Sequence, residues 1–156
     1  AFIRSATGMA EHQTGRRLMP QTWQLTLDAV PSHGVQLSHV PVKSISSINY
    51  IDTNGVSQLW APTNYTLNNS NDYGVAFICP SYGVTWPSMR AQMDALRITF
   101  VCGYDSADVV PEEFKHWIKL MVGAMFTNRE AYDEDQVYSL GFADRLLDRY
   151  EVWTHP

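Results

Sequence analysis

The sequence predicts an α+β fold in which helices from the N- and C-terminal parts pack together, with an antiparallel β-rich insertion between them. Three observations predict it. Residues 2–19 carry apolar side chains at helical spacing, and residues 21–104 break into short runs that alternate with a period of two. The stretch from Leu96 to Glu130 then joins an alternating strand to a long apolar helix through an abrupt polar turn. With 156 residues there is enough chain for one compact domain with a real core and too little for two domains of ordinary size, so residues 1–156 read as a single domain.

In the first helix, residues 1–19, Phe2, Ala6, Met9, Ala10 and Gln13 share a narrow face, and Pro20 ends the run. Gly15 lowers helix propensity by about 1 kcal/mol relative to Ala, so it marks either a C-terminal cap or a close crossing. The chain opens in what reads as mid-helix, and a preceding helical segment is expected. From Gln21 the period falls to two, with Trp23, Leu25 and Leu27 alternating against Thr22, Gln24 and Thr26. Short strands follow at Val35 to Leu37 and Val42 to Ile51. Asp52-Thr53-Asn54-Gly55 separates the latter from Val56 to Trp60, and Asn54-Gly55, which readily takes positive φ, predicts a β-hairpin. Tyr65 to Leu67 and Val75 to Ile78 are further strands, divided by the polar run Asn68 to Asp72.

The last strand places Leu96, Ile98, Phe100 and Cys102 on one face. A helix over 110–130 follows, with Pro111 at its start and Glu112 and Glu113 near the positive end of the dipole. Phe114, Trp117, Ile118, Met121, Ala124 and Met125 form its apolar stripe, but from Leu120 to Phe126 the helix is apolar almost all round. Such a segment is either central in its domain or covered by a second subunit. Residues 138–150 read as a final helix and 151–156 as a C-terminal arm. Tyr132, Tyr138, Phe142, Tyr150 and Trp153 crowd this region, and they either fold back on their own core or anchor in a neighbour.

Composition narrows the function. Hydrophobic residues at 45% with charged residues at 17% describe a folded globular chain, and the formal charge of −5 opposes a dedicated duplex-DNA reader, which needs many Lys and Arg against phosphates. No run approaches a membrane span. Phosphate loops, nucleophile elbows and zinc-helix motifs are missing from the sequence, and His12, His33, His39, His116 and His155 are scattered, so no catalytic, cofactor or metal residues are assigned. Asp133, Glu134 and Asp135 lack the spaced ligands of a calcium loop. Cys79 and Cys102 read as buried reduced thiols.

Several motifs in order carry a resemblance. They are Thr14-Gly15-Arg16 with Leu18, Gln21-Thr22-Trp23, Pro41-Val42 with Ile45, Ile48 and Tyr50-Ile51-Asp52 before Gly55, and Tyr65. Later come Trp86-Pro87, Ile98-Thr99-Phe100 with Gly103-Tyr104, Pro111 with Phe114-Lys115, Asn128-Arg129-Glu130, and Leu146-Leu147 with Tyr150. Together they resemble the head-to-tail connector (adaptor) proteins of long-tailed bacteriophages and phage-like particles, in the longer variant with a β-rich insertion. Gly141-Phe142 departs from the proline-containing turn more usual there.

The resemblance implies a non-enzymatic structural protein of the virion neck, assembled in the bacterial cytoplasm. It would form a homo-oligomeric ring, usually dodecameric, beneath the portal protein, with a stopper or tail-completion protein on its other face and DNA passing non-specifically through the middle. Trp117, Met121, Met125 and Phe126 are then expected at the subunit interface, and Tyr150, Trp153 and His155 at the portal. Asp52, Asn54, Asn69 and Asp72 are expected to face neighbouring rings. Two other readings compete: a monomeric β-rich module binding a ligand or glycan through Trp23, Trp60 and Trp86, and a hydrolase using Asp28, Asp52 and Glu130.

Overall fold

The computed structural model describes residues 1–30, 32–69, 75–127, 143 and 145–152. Helix α1 spans Phe2–Thr14, and the strands are β1 (Gln21–Leu27), β2 (Val35–Leu37), β3 (Val42–Ile51), β4 (Ser57–Trp60), β5 (Tyr65–Asn68), β6 (Ala76–Pro80) and β7 (Leu96–Cys102). Helix α2 spans Glu112–Thr127, and a 3-10 turn over Asp148–Tyr150 follows. The α+β class expected from the sequence is the one observed.

The strands make two antiparallel sheets, ordered β1-β7-β3-β4 and β2-β6-β5. Period-two alternation explains their packing. Leu96, Ile98, Phe100 and Cys102 of β7 face Val35 and Leu37 of β2 and Ala76 and Ile78 of β6 in one buried cluster, so the insertion is a β-sandwich. A second cluster joins Ala10 of α1 to Phe114 and Trp117 of α2, with Leu18, Val110, Ala143 and Leu147. The molecule thus holds two cores, one between sheets and one between helices.

These cores meet at one end of the four-stranded sheet. Helix α1 stops at Gly15, whose φ of 69° and N–H bond to Glu11 O at 3.0 Å form a left-handed cap. The predicted helix to residue 19 therefore ends earlier, because Arg16 leaves it to bridge Val40. Glu11 holds this corner: its carboxylate accepts from Leu18 N at 2.8 Å and from Arg17 and Gln21 at 3.3 Å. Gly103, at φ 106°, lets β7 pass the Met19 carbonyl, which a Cβ would meet at 2.1 Å. Arg16 Nε donates to Tyr150 O at 2.8 Å and Val152 N to Thr14 O at 3.0 Å, so residues 151 and 152 of the expected arm lie on their own chain.

Other boundaries also shift. Met9, expected on the packed face of α1, is exposed, while Ala6, Ala10 and Thr14 are buried. Small residues face α2 because the helices approach closely. The β3–β4 hairpin uses a type I turn, Gly55 N to Asp52 O at 2.9 Å, with only Gly55 at positive φ (85°). Asn54 is not left-handed, and the extra residue forms a glycine bulge. The expectation for residues 128–130 and the beginning of a helix near 138 lie outside the described residues.

Candidate functional site

Helix α2 changes character along its length. Phe114 and Trp117 are buried, Trp117 to 2% exposure, whereas Met121, Val122, Ala124 and Met125 are half-buried and Phe126 is 60% exposed. Opposite them, Ile3 of α1 is 67% exposed. Ile3, Thr7, Ile118 and Val122 line an open groove of about 390 Å³ between the helices, with Lys115 and Lys119 at its rim. Thr7 donates its hydroxyl to Ile3 O at 2.8 Å and Thr127 donates to Gly123 O at 3.0 Å. Both hydroxyls are spent on their own helices, and for Thr7 that leaves an apolar surface toward the groove.

Of the residues expected at a subunit interface, Met121 and Met125 are half-buried on the last turns of α2 and Phe126 is 60% exposed, and none of the three lines the groove. Trp117 lies inside the helical core, where its buried indole N–H has no hydrogen-bond partner among the described residues. Its neighbours there, Phe114 and Ala143, are apolar, so the ring acts as a spacer that holds α2 against α1. Tyr150, expected at the portal, is half-buried: its ring lies 4.9 Å from Phe114 and 5.7 Å from the Arg16 guanidinium. Burial, followed by a hydrogen bond to Glu113, pushes its phenol above the usual tyrosine range. Trp153, His155 and Asp72 lie outside the described residues.

The opposite end of the sandwich carries the hairpin. Asp52 Oδ1 accepts from Asn54 N and Val56 N, both at 2.9 Å, and Oδ2 from Gln58 Nε2 at 3.1 Å. Those bonds, that to Val56 foremost, hold its carboxyl below the usual range. Asp52 therefore builds the turn, while Asn54, Val56 and Leu59 stand exposed around it. Asn69, grouped with the hairpin by sequence, is elsewhere. Its side chain donates to Val42 O at 2.9 Å, at the start of β3 and so beside the helices. Ten residues of β3 separate Asn69 from Asp52, about 30 Å of strand.

Geometry weakens the competing readings. Trp60 is 5% exposed and stacks on Trp86 at 4.6 Å, with Tyr65 at 5.6 Å, so these rings fill the sandwich core. Trp23 lies against His39 at 4.0 Å and beneath the Arg17 guanidinium at 4.7 Å. Burial, then Arg17, pulls His39 below its usual value. Asp28 accepts from Asp94 N at 2.8 Å, Asp52 is committed to its turn, and β7 lies between their strands. Glu130 lies outside the described residues. Burial pushes the Cys102 thiol up to about 11, which makes it a packing group rather than a nucleophile. No three-residue metal-ligating cluster occurs among the described residues, and no helix there is long and apolar enough to cross a membrane.

Sequence reasoning missed the groove wall contributed by Ile3 and Thr7. Their i, i+4 spacing was a legible signal, but Met9 and Phe2 competed for the same face.

No family model matches the chain, and no curated protein matches it. Solved structures do. A chain in the virion of a native gene transfer agent particle is 18% identical, with TM-score 0.78 over 99% of this chain and 77% of the other. One in the neck of an empty gene transfer agent particle, computed with C6 symmetry, is 17% identical, with TM-score 0.75 over 99% and 77%. Another, in the neck of the native particle computed with C12 symmetry, is 16% identical, with TM-score 0.72 over 99% and 82%. The sandwich and helical pair together are thus a fold that this chain shares, nearly end to end, with chains of gene transfer agent particles.

Proposed function

We propose that this chain is a structural adaptor in the neck of a tailed phage or phage-like particle, a ring beneath the portal that joins the head to a stopper or tail and surrounds the DNA channel. The observation that carries the reading is the open groove between the helices, where Ile3 is 67% exposed and Ile118 and Val122 are only half-buried. The fold is shared with neck chains solved with C12 and C6 symmetry, which supports covering that surface by rotational repetition.

The bipolar layout suits the task. Helices and the C-terminal residues occupy one end and the hairpin the other, so one molecule offers two separate surfaces along a strand direction. In this reading Met121, Met125 and Phe126 meet the next copy, Tyr150, Trp153 and His155 lie toward the portal, and Asp52 and Asn54 present the hairpin to the ring on the far side. Asn69 belongs with the helical end. The modest acidic charge leaves DNA free to slide. Non-enzymatic action accords with Glu11, Asp52 and Cys102, each committed to structure.

The test is to mix the purified chain with portal rings and with DNA-filled heads, then measure mass and image the product. A closed ring of this chain seated on the portal is the expected outcome. Particles that lack the chain yet keep DNA and join tails, together with no complex in the mixture, would end the proposal.

A further inference from the structure

The hydrogen-bond parity of the four-stranded sheet fixes which backbone groups are left over. Ile51 donates to Ala95 O at 2.8 Å and accepts from Arg90 N at 3.0 Å, so its groups point toward β7, whereas Asp52 N bonds Val56 O at 2.9 Å on the β4 side. Antiparallel ladders alternate residue by residue. With Tyr50 opposite Gln58 and Ile48 opposite Trp60, the groups of Ser57 and Leu59 point away from the sheet. Asn49 pairs Arg97, so Leu96, Ile98 and Phe100 serve β1 through Leu27, Leu25 and Trp23. The N–H and C=O groups of Thr22, Gln24 and Thr26 are then directed outward from the other edge.

Edge strands are usually blunted by charge, proline or bulges. β1 has none of these within Gln21–Leu27, and its register against β7 is unbroken. Its inner row is also unfinished. Trp23, Leu25 and Leu27 are half-buried, whereas the β7 row beside them is fully buried. Both the backbone and the apolar row therefore call for one more extended strand.

We propose that the occupant is β4 of an adjacent copy, which makes the four-stranded sheet continuous around the ring. The inference rests on the ring reading above. Four alternating strands give the two edges opposite directions, so β4 of a rotated copy arrives antiparallel to β1, as every other pair in this sheet is. An odd number of strands would have forced a parallel contact. At about 4.8 Å per strand, each copy advances the sheet by about 19 Å. A twelve-copy ring then carries it at a radius of about 37 Å, open at the centre. Strands lying along the ring axis would also direct the helical end and the hairpin end to opposite faces.

Proline separates this contact from folding, since it is tolerated where a strand's N–H faces outward. Gln24→Pro is expected to keep the wild-type circular dichroism and lose ring formation on portal-bearing heads. Gln24→Cys combined with Ser57→Cys or Leu59→Cys is expected to give, after oxidation, a ladder of linked multimers on a non-reducing gel. Three strand spacings separate those positions within one copy, too far for an internal disulfide, and the wild-type chain controls for Cys79 and Cys102. Normal rings from Gln24→Pro, or double-cysteine rings of correct mass that run as monomers, overturn the edge pairing and leave the ring reading standing. Should Gln24→Pro fail to fold, the cysteine chains decide. A wild-type chain that never assembles overturns both.

Discussion

Along β7, Leu96, Ile98, Phe100 and Cys102 are each at 1% exposure or less, whereas along α2 only Phe114 and Trp117 are buried and the last two turns are half-buried or exposed. Both segments are apolar. What differs is closure: a strand buries one face against an opposing sheet, while among the described residues α2 packs on α1 and on a few residues from 143–152. Similar side chains are therefore fully buried in one region and only half-buried in the other. Among the described residues the centre of the sandwich is closed by its own chain, and the end of α2 is half-buried at most.

Mutations in the two regions should separate accordingly. Phe100→Ala is expected to cost about 3–5 kcal/mol in denaturant unfolding, as for other buried aromatics. Ile3→Ala, on the exposed wall of the groove, should leave the unfolding of the isolated chain nearly unchanged and reduce assembly on the portal. An equal loss of stability from both would mean that the groove is covered by its own chain. Glu11→Ala attacks the corner between the regions. It strips the buried Leu18 N–H of its acceptor, and about 1–3 kcal/mol is expected from thermal unfolding. Gly55→Ala forces an alanine to φ 85° and toward the Arg90 guanidinium, for about 1 kcal/mol at the hairpin end.

The smallest effect concerns pH. The folded state lowers the affinity of His39 for its proton, so the unfolded chain binds more protons between the two values. The contribution is present above the unfolded value of 6.5 and is lost as pH falls through the lower folded value. His39→Phe, which keeps the stack on Trp23, should flatten the pH dependence of the melting temperature in that window. An unchanged slope would remove His39 from the account.

Strands were legible because their alternation is set by the pleat, a local rule. Thus Trp23 to Leu27 and Leu96 to Cys102 were placed with their faces right. Helix ends were less legible: Gly15 caps α1 through a bond to Glu11 and a bridge between Arg16 and Val40, and that last contact is tertiary. The candidate site was half visible. The all-round apolar character of Leu120 to Phe126 is a sequence property, but the burial of Trp117 and the separation of Asn69 from Asp52 depend on which residues the sandwich brings to each end. Likewise the carboxylate of Asp52 looked like a contact and proved to be the frame of its own turn.

Two covalent crossings, residues 15–20 and 103–111, link the helices to the sheets, and Val152, bonded to Thr14 of α1 and packed against the sandwich core, adds a third attachment. Two tethers define a hinge axis, but three define a plane. Torsion applied at the hairpin tip is consequently conveyed to the helical end instead of being dissipated as swivelling. A stack of such molecules would behave mechanically as a stiff sleeve rather than a chain of beads.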